Sequence, residues 1–204
     1  MTGGVGGEDA GEVPRFREAR DAMPTELAEP IRLVVFDVDG VLTDASVYLG
    51  HGPDGEAVEL KRFDIQDGLA LKLLRAAGVE VALVSGRVST ATALRARELG
   101  ILECHQDDGA RKLPVVREIA KRLGVGWSEI AMVGDDLPDL PVMERVGLPV
   151  AVANAVPEVR RRARWATGRE GGRGAVREFV RAFLLARGEW DRIVEDYCAA
   201  RSDD

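Results

Sequence analysis

The sequence predicts an α/β fold, a parallel sheet with helices on both of its faces. Three observations carry this. Short apolar runs at 31–36, 79–84, 101–104, 130–133 and 150–153 alternate with amphipathic stretches of helical period. Most of the intervals are long enough for a crossover helix, which parallel neighbours need. The runs are continuously apolar, as in strands covered on both faces. At 204 residues the chain suits one domain with a short appendage, and 46% apolar with 31% charged residues excludes wholesale disorder.

The elements follow in order. Residues 1–29 are rich in Gly, Glu and Ala, carry Pro14 and Pro24, and show no sustained period. They read as a flexible extension that Pro30 closes. The run at 31–36 is broken only by Arg32. The segment at about 46–62 then interrupts the alternation. Val47-Tyr48-Leu49, a Gly/Pro/Asp turn at 50–55, and 56–61 form a β-hairpin between the first strand and the first helix. It is too small for a domain, but it lies beside the carboxyl end of strand one, where open α/β sheets bind ligands.

Residues 67–77 read helical, with Leu69, Leu73 and Leu74 on one face and Gly78 as the stop. A second strand at 79–84 leads to a helix at 88–99 that Gly100 ends. The third strand, 101–104, precedes a helix at 112–123 whose inward residues are Val115, Val116, Ile119 and Leu123. A strand at 130–133, a helix at 138–146 and a strand at 150–153 come next. Pro157 opens a short helix at its first position, Trp165 and Ala166 form a last strand, and 175–186 a final long helix. The folded unit spans 30–188, and 189–204 is a C-terminal tail.

Composition excludes several function classes. Net charge −7 argues against nucleic acid as a partner, and the run Arg160-Arg161-Arg162 reads as a solvated face. No apolar run approaches the ~20 residues of a membrane span, and no signal-peptide core is visible. Cys104 and Cys198 lie far apart with no C-x-x-C pair, and His51 and His105 show no ligand spacing. A reducing, cytoplasmic location is the expectation.

The chemistry sits at strand ends. Strand one runs into V-V-F-D-V-D-G-V-L-T-D, with Asp37, Asp39, Gly40, Thr43 and Asp44. Carboxylates so close need a cation, or one must turn away. Strand two ends in Ser85-Gly86-Arg87, a hydroxyl and free backbone N–H groups at a helix start, which suits an anion. Lys112 opens the helix after strand three. Strand four ends in V-G-D-D-L-P-D, with Asp135, Asp136 and Asp139. An acid-rich crevice with one hydroxyl and one lysine suits Mg²⁺ plus phosphate, which the resemblance below extends to a phosphorylated small-molecule substrate. Each residue alone has a bland reading: Ser85 as a helix cap, Lys112 as a solvated charge, the aspartates as turn caps. Their combination at matching strand ends outweighs it.

In this order, D-x-D-G-V, Ser, Lys and G-D-D resemble the haloacid dehalogenase superfamily of aspartyl phosphatases over about residues 31–188. E-L-K-R-F-D-I-Q-D-G, V-S-G-R, V-G-D-D-L-P-D-L-P-V-M-E-R-V-G and G-G-R-G-A-V-R-E narrow the resemblance to the capless branch of 3-deoxy-D-manno-octulosonate 8-phosphate phosphatases. The resemblance implies a Rossmann-like sheet with the hairpin in place of a cap domain, and a homotetramer assembled through that hairpin. It implies Asp37 as the nucleophile, forming an aspartyl-phosphate, and Asp39 as general acid and then base. Mg²⁺ would be held by Asp37, the Asp39 carbonyl and Asp135. Ser85 and the Gly86 N–H would hold phosphoryl oxygens, and Lys112 would offset their charge.

Asp136 and Asp139 compete for the outer position that orients the ligand set, with Asp136 preferred. Arg87, Lys61 and Arg173 are candidates for substrate contact, and each has an ordinary structural reading beside it. The alternatives are a phosphatase for a nine-carbon sugar-acid phosphate or another small ester, and a non-catalytic oligomerisation or regulatory domain like those fused to some acylneuraminate cytidylyltransferases.

Overall fold

The structure is a computed structural model and describes residues 22–202. Residues 1–21 of the expected extension lie outside the described residues. The remainder of that stretch is packed. A helical turn, α1 (Thr25–Ala28), buries Leu27 and Ala28, and Met23 joins the same core. The ordered chain therefore begins before Pro30. An apolar pair this short makes no period, and it is covered by a helix some 150 positions downstream.

The main sheet contains β1 (Leu33–Phe36), β4 (Glu80–Ser85), β5 (Glu103–Gln106), β6 (Ile130–Gly134), β7 (Leu148–Ala151) and β8 (Trp165–Ala166). All pairs are parallel, in the order β5-β4-β1-β6-β7-β8. The chain moves outward on one side of β1, returns, and moves outward on the other. Ligands bind where that direction reverses, outside the carboxyl ends of β1 and β6. The helix α2 (Ile65–Ala76) contacts α3 (Thr90–Leu99), and α4 (Lys112–Leu123) contacts α5 (Leu140–Met143), the grouping that right-handed crossovers produce on the two faces of such a sheet. A single-turn helix, α6 (Pro157–Arg160), precedes β8. The long helix α7 (Ala175–Ala186) returns to pack on α2. The hairpin, β2 (Tyr48–His51) with β3 (Ala57–Leu60), forms its own antiparallel sheet, and a bridge between Thr43 and Phe63 closes its base.

Several boundaries differ from the sequence expectation for local reasons. Asp64 caps α2 by accepting from the N–H groups of Gln66 (2.7 Å) and Asp67 (3.4 Å), so that helix starts two residues early. Gly100 is left-handed, and the Ile101 N–H closes α3 on the Ala96 carbonyl. Ile101 therefore plugs the core, Leu102 is 93% exposed, and the strand begins only at Glu103. Residues 138–146 break into a 3₁₀ turn (Leu137–Asp139) and the short α5, because Asp136 and Asp139 use their carboxylates on local N–H groups. Where a tail was expected, Trp190–Ala199 forms helix α8, buried only at Ile193 and joined to α7 by Arg177 stacking 4.9 Å over the Trp190 ring.

Aromatic contacts hold α7 on the sheet. Phe179 meets Phe36 edge-on at 5.9 Å and leans on Trp165 and Phe183 at 6.1 and 5.7 Å. All but Trp165 are fully buried. Phe179→Ala is expected to lower unfolding free energy by about 3–5 kcal/mol in a urea titration. A loss below about 1 kcal/mol would show that the site collapses without Phe179.

Candidate active site

Strand β1 delivers Asp37 to the reversal point, where its N–H donates to the Val133 carbonyl at 3.0 Å. The next residues fold tightly. Thr43 Oγ1 donates to the Val38 carbonyl and accepts from the N–H groups of Gly40 and Ala45, each at 3.3 Å. Gly40 has φ +103°, and a Cβ there would fall on Asp135 Oδ2. Only glycine lets the strand-one loop come this close to the Asp135 carboxylate. Asn154 locks the same loop from the far side. Its Nδ2 donates to the Gly40 carbonyl at 2.9 Å, and its Oδ1 accepts from the Gly171 N–H at 2.7 Å.

Gly40→Ala is therefore expected to weaken divalent-cation binding by at least ~10-fold by titration calorimetry, since it displaces Asp135. Wild-type affinity in that variant would show that the loop gives way instead.

Asp37, Asp39, Gly86, Arg87, Lys112, Asp135, Asp136 and Asp139 line one cavity of about 180 Å³, with Ala110 and Pro138 completing the wall. Lys112 is buried and pairs with Asp37 and, at 2.6 Å, with Asp139. Carboxylate oxygens of Asp37, Asp135 and Asp139 all lie within 4.8 Å of one another. Burial, with Asp139 nearby, pushes the Asp37 carboxyl up to about 6 despite Lys112. Burial, with Asp37 and Asp139, pushes Asp135 up to about 8. Burial alone would lower the Lys112 ammonium, but Asp37 and Asp139 outweigh it and hold it above its usual range.

Three carboxylates face one ammonium here, an excess of two negative charges. Asp135 Oδ1 is buried without a hydrogen-bond partner among the described residues. Oxygen donors, that charge and that free oxygen together fit a divalent cation. Asp139 is less available to it. Its Oδ1 accepts from Lys112, and its Oδ2 accepts from the N–H groups of Asp135 (2.9 Å) and Asp136 (3.3 Å). Asp139 thus orients both Lys112 and the Asp135 backbone, while Asp136 is exposed and caps Leu137 at 2.7 Å. Asp139, and not the Asp136 that the sequence reading preferred, makes the hydrogen bonds that reach Lys112 and the Asp135 backbone.

Ser85 is buried beneath the cavity, 3.5 Å from Asp39 Oδ2, and its Oγ accepts from the Arg87 N–H at 3.1 Å. Gly86 is pressed against Ala110, so no side chain fits there. Arg87 is half exposed at the rim and donates to Glu59 at 3.0 Å. Lys61 is not open to the cavity. Its side chain is fully buried against Asp39. Arg173 also stands apart, exposed and facing Asp44 (3.8 Å) and Glu170 (3.7 Å). Sequence reasoning missed Asn154, whose motif carries no signal by itself, and Glu59. Strand alternation relative to Lys61 could have revealed the latter.

Residues 100–179 match the family model described as haloacid dehalogenase-like hydrolase. The chain is 43% identical over 164 residues to the 3-deoxy-D-manno-octulosonate 8-phosphate phosphatase of Escherichia coli K12, covering 80% of this chain and 85% of the relative. It is similar to the solved Yersinia pestis 3-deoxy-D-manno-octulosonate 8-phosphate phosphatase, at 40% identity and TM-score 0.75 over 82% of this chain and 88% of that one. The Moraxella catarrhalis phosphatase of that name, solved in complex with magnesium ion, phosphate ion and KDO, matches at 35% identity and TM-score 0.78 over 85% and 97%. A cobalt-bound form from Haemophilus influenzae matches at 37% and 0.72 over 81% and 93%.

Proposed function

Because the chain belongs to the haloacid dehalogenase-like hydrolases and is a phosphatase of their 3-deoxy-D-manno-octulosonate 8-phosphate branch, we propose that it hydrolyses the phosphate ester of that eight-carbon sugar acid through an aspartyl-phosphate. The observation that carries this reading is the Asp37 carboxylate, set between Lys112 and Asp135, whose Oδ1 has no hydrogen-bond partner among the described residues, in a phosphate-sized cavity.

An Asp37 oxygen attacks phosphorus as the bond to the sugar oxygen breaks, and Asp39 gives that oxygen its proton. Asp39 then takes a proton from the water that attacks the phosphorus, releasing inorganic phosphate and restoring Asp37. Lys112 holds Asp37 in place and balances charge on the transferring group, while Ser85, the Gly86 N–H and Arg87 receive its oxygens. Mg²⁺, held by Asp37, Asp135 and the Asp39 carbonyl, would supply the positive charge that lets an anionic nucleophile approach a phosphate dianion. At about 180 Å³ the cavity takes the phosphoryl group and leaves the sugar at its mouth, since whole-ligand pockets run to ~300 Å³ or more.

The proposed assembly is a homotetramer through the hairpin, where Tyr48, Leu49 and Leu60 are 56%, 80% and 60% exposed. A monomer by size exclusion with light scattering would reject it. Among the described residues no helix is long and apolar enough to cross a membrane. The proposed setting is the cytoplasm, which accords with a dianionic substrate and two free cysteines.

Phosphate release from a panel of sugar-acid phosphates tests the substrate. The eight-carbon ester is expected to give the highest kcat/KM. A nine-carbon ester leading it would move the assignment to that substrate.

A further inference from the structure

Two charged side chains of the hairpin reach into the site. Glu59, on β3, and Lys61, just past its end, are two residues apart and project alike. The buried Lys61 ammonium lies 2.7 and 3.0 Å from the two carboxylate oxygens of Asp39, 3.4 Å from Thr92 Oγ1 and 3.7 Å from Glu59 Oε1. Glu59 Oε1 accepts the Ser89 hydroxyl at 2.5 Å, and Oε2 accepts from Arg87 at 3.0 Å.

An ammonium is buried only where carboxylates compensate it. Here Asp39 and Glu59 balance Lys61 and Arg87. This contrasts with the neighbouring group around Lys112, which keeps two excess negative charges. The charges of the hairpin network balance among the described residues, and its consequence is geometric. Asp39 sits on a loop and lines the cavity, and the hairpin's Lys61 is the charged group that holds it. The ammonium donates to Oδ2, which Ser85 also approaches at 3.5 Å, and lies 2.7 Å from Oδ1, which has no hydrogen-bond partner among the described residues and is left to carry a proton.

We propose that Lys61 is a positioning residue that fixes the Asp39 carboxylate at the cavity wall for proton transfer to the leaving oxygen, and that Glu59 seats the hairpin on Ser89 and Arg87 so that Lys61 reaches it. This rests on the acid–base role given to Asp39 above. A general acid displaced by an ångström loses much of its effect, and only leaving groups that need its proton register the loss. An alkoxide needs it, whereas a p-nitrophenolate departs without one.

The test compares kcat on a primary alkyl phosphate and on p-nitrophenyl phosphate. In Lys61→Met the alkyl-to-aryl ratio of kcat is expected to fall by at least ~10-fold, with KM for both esters moving less than ~3-fold. Glu59→Gln is expected to shift the ratio in the same direction by a smaller factor. It also gives the answer should Lys61→Met fail to fold. A ratio within ~2-fold of wild type, or an increase, overturns the proposal, since a merely structural role would depress both esters alike. Asp37→Asn run beside them separates the two readings: phosphatase activity surviving there would overturn the catalytic assignment itself, not only the role of Lys61.

Discussion

Asp37→Asn is expected to cut turnover by at least ~10⁴-fold while leaving the fold intact. An amide oxygen is a far poorer nucleophile than a carboxylate, and asparagine also turns either its oxygen or its NH₂ toward Lys112. Size and shape are unchanged, so circular dichroism and the melting profile of the metal-free protein should stay native or improve, because one of three crowded carboxylates is gone. Asp39→Asn should be milder, on the order of 10²–10⁴-fold, since it removes proton transfer but spares the nucleophile. Turnover of Asp37→Asn within ~10-fold of wild type would remove Asp37 from the chemistry and favour a non-catalytic, phosphatase-like role.

Removing divalent metal is expected to abolish activity and to leave a protein whose stability depends steeply on pH. The carboxyls of Asp37, at about 6, and Asp135, at about 8, lie above their ordinary value of 3.8 because burial and mutual repulsion disfavour the charged forms. The folded metal-free chain therefore keeps protons that the unfolded chain releases. Below pH 3.8 these groups cost nothing. From there the folded state loses stability as pH rises, the Asp37 share being complete near pH 6 and the Asp135 share near pH 8.

A bound dication reverses this by favouring the ionised forms. At a hundred times its Kd it adds ~2.7 kcal/mol, which for a chain of this size raises Tm by about 5–10 °C. Thermal scans at pH 5, 6, 7 and 8, with chelator or with excess Mg²⁺, would check this, and the gap between the curves should widen with pH. Asp67 forms an internal control. Burial pushes it up to about 6, and its carboxylate accepts from the N–H groups of Gly174 and Arg177 at the start of α7, outside the cavity lining, so its share of the slope, which ends near pH 6, persists in both conditions. A metal-independent curve would contradict the carboxylate site.

The order of strands and helices, the hairpin and the residues at the strand ends were legible because each rests on short-range pattern: continuous apolar runs, glycine stops, and acids just beyond a strand. Asp37, Ser85, Lys112 and Asp135 could be listed from the chain, since parallel strands bring their carboxyl ends to one edge whatever the loops do. Boundaries slipped where a side chain took over backbone hydrogen bonds, as Asp64 does at α2 and Asp136 at the 3₁₀ turn. Helix α8 escaped notice because its burial rests on Ile193 alone.

The sequence by itself determined the layered sheet, the site's composition and the excess of negative charge, all of which follow from residue type and periodicity. Tertiary structure alone decided how those charges are shared. It gave Asp139 to Lys112 and to two backbone N–H groups, left Asp135 with an unpartnered oxygen, buried Lys61 against Asp39, and turned Arg173 outward to Asp44. Pairing between residues tens of positions apart depends on distances of a few ångströms and on which partner desolvates whom, and no spacing along the chain encodes either.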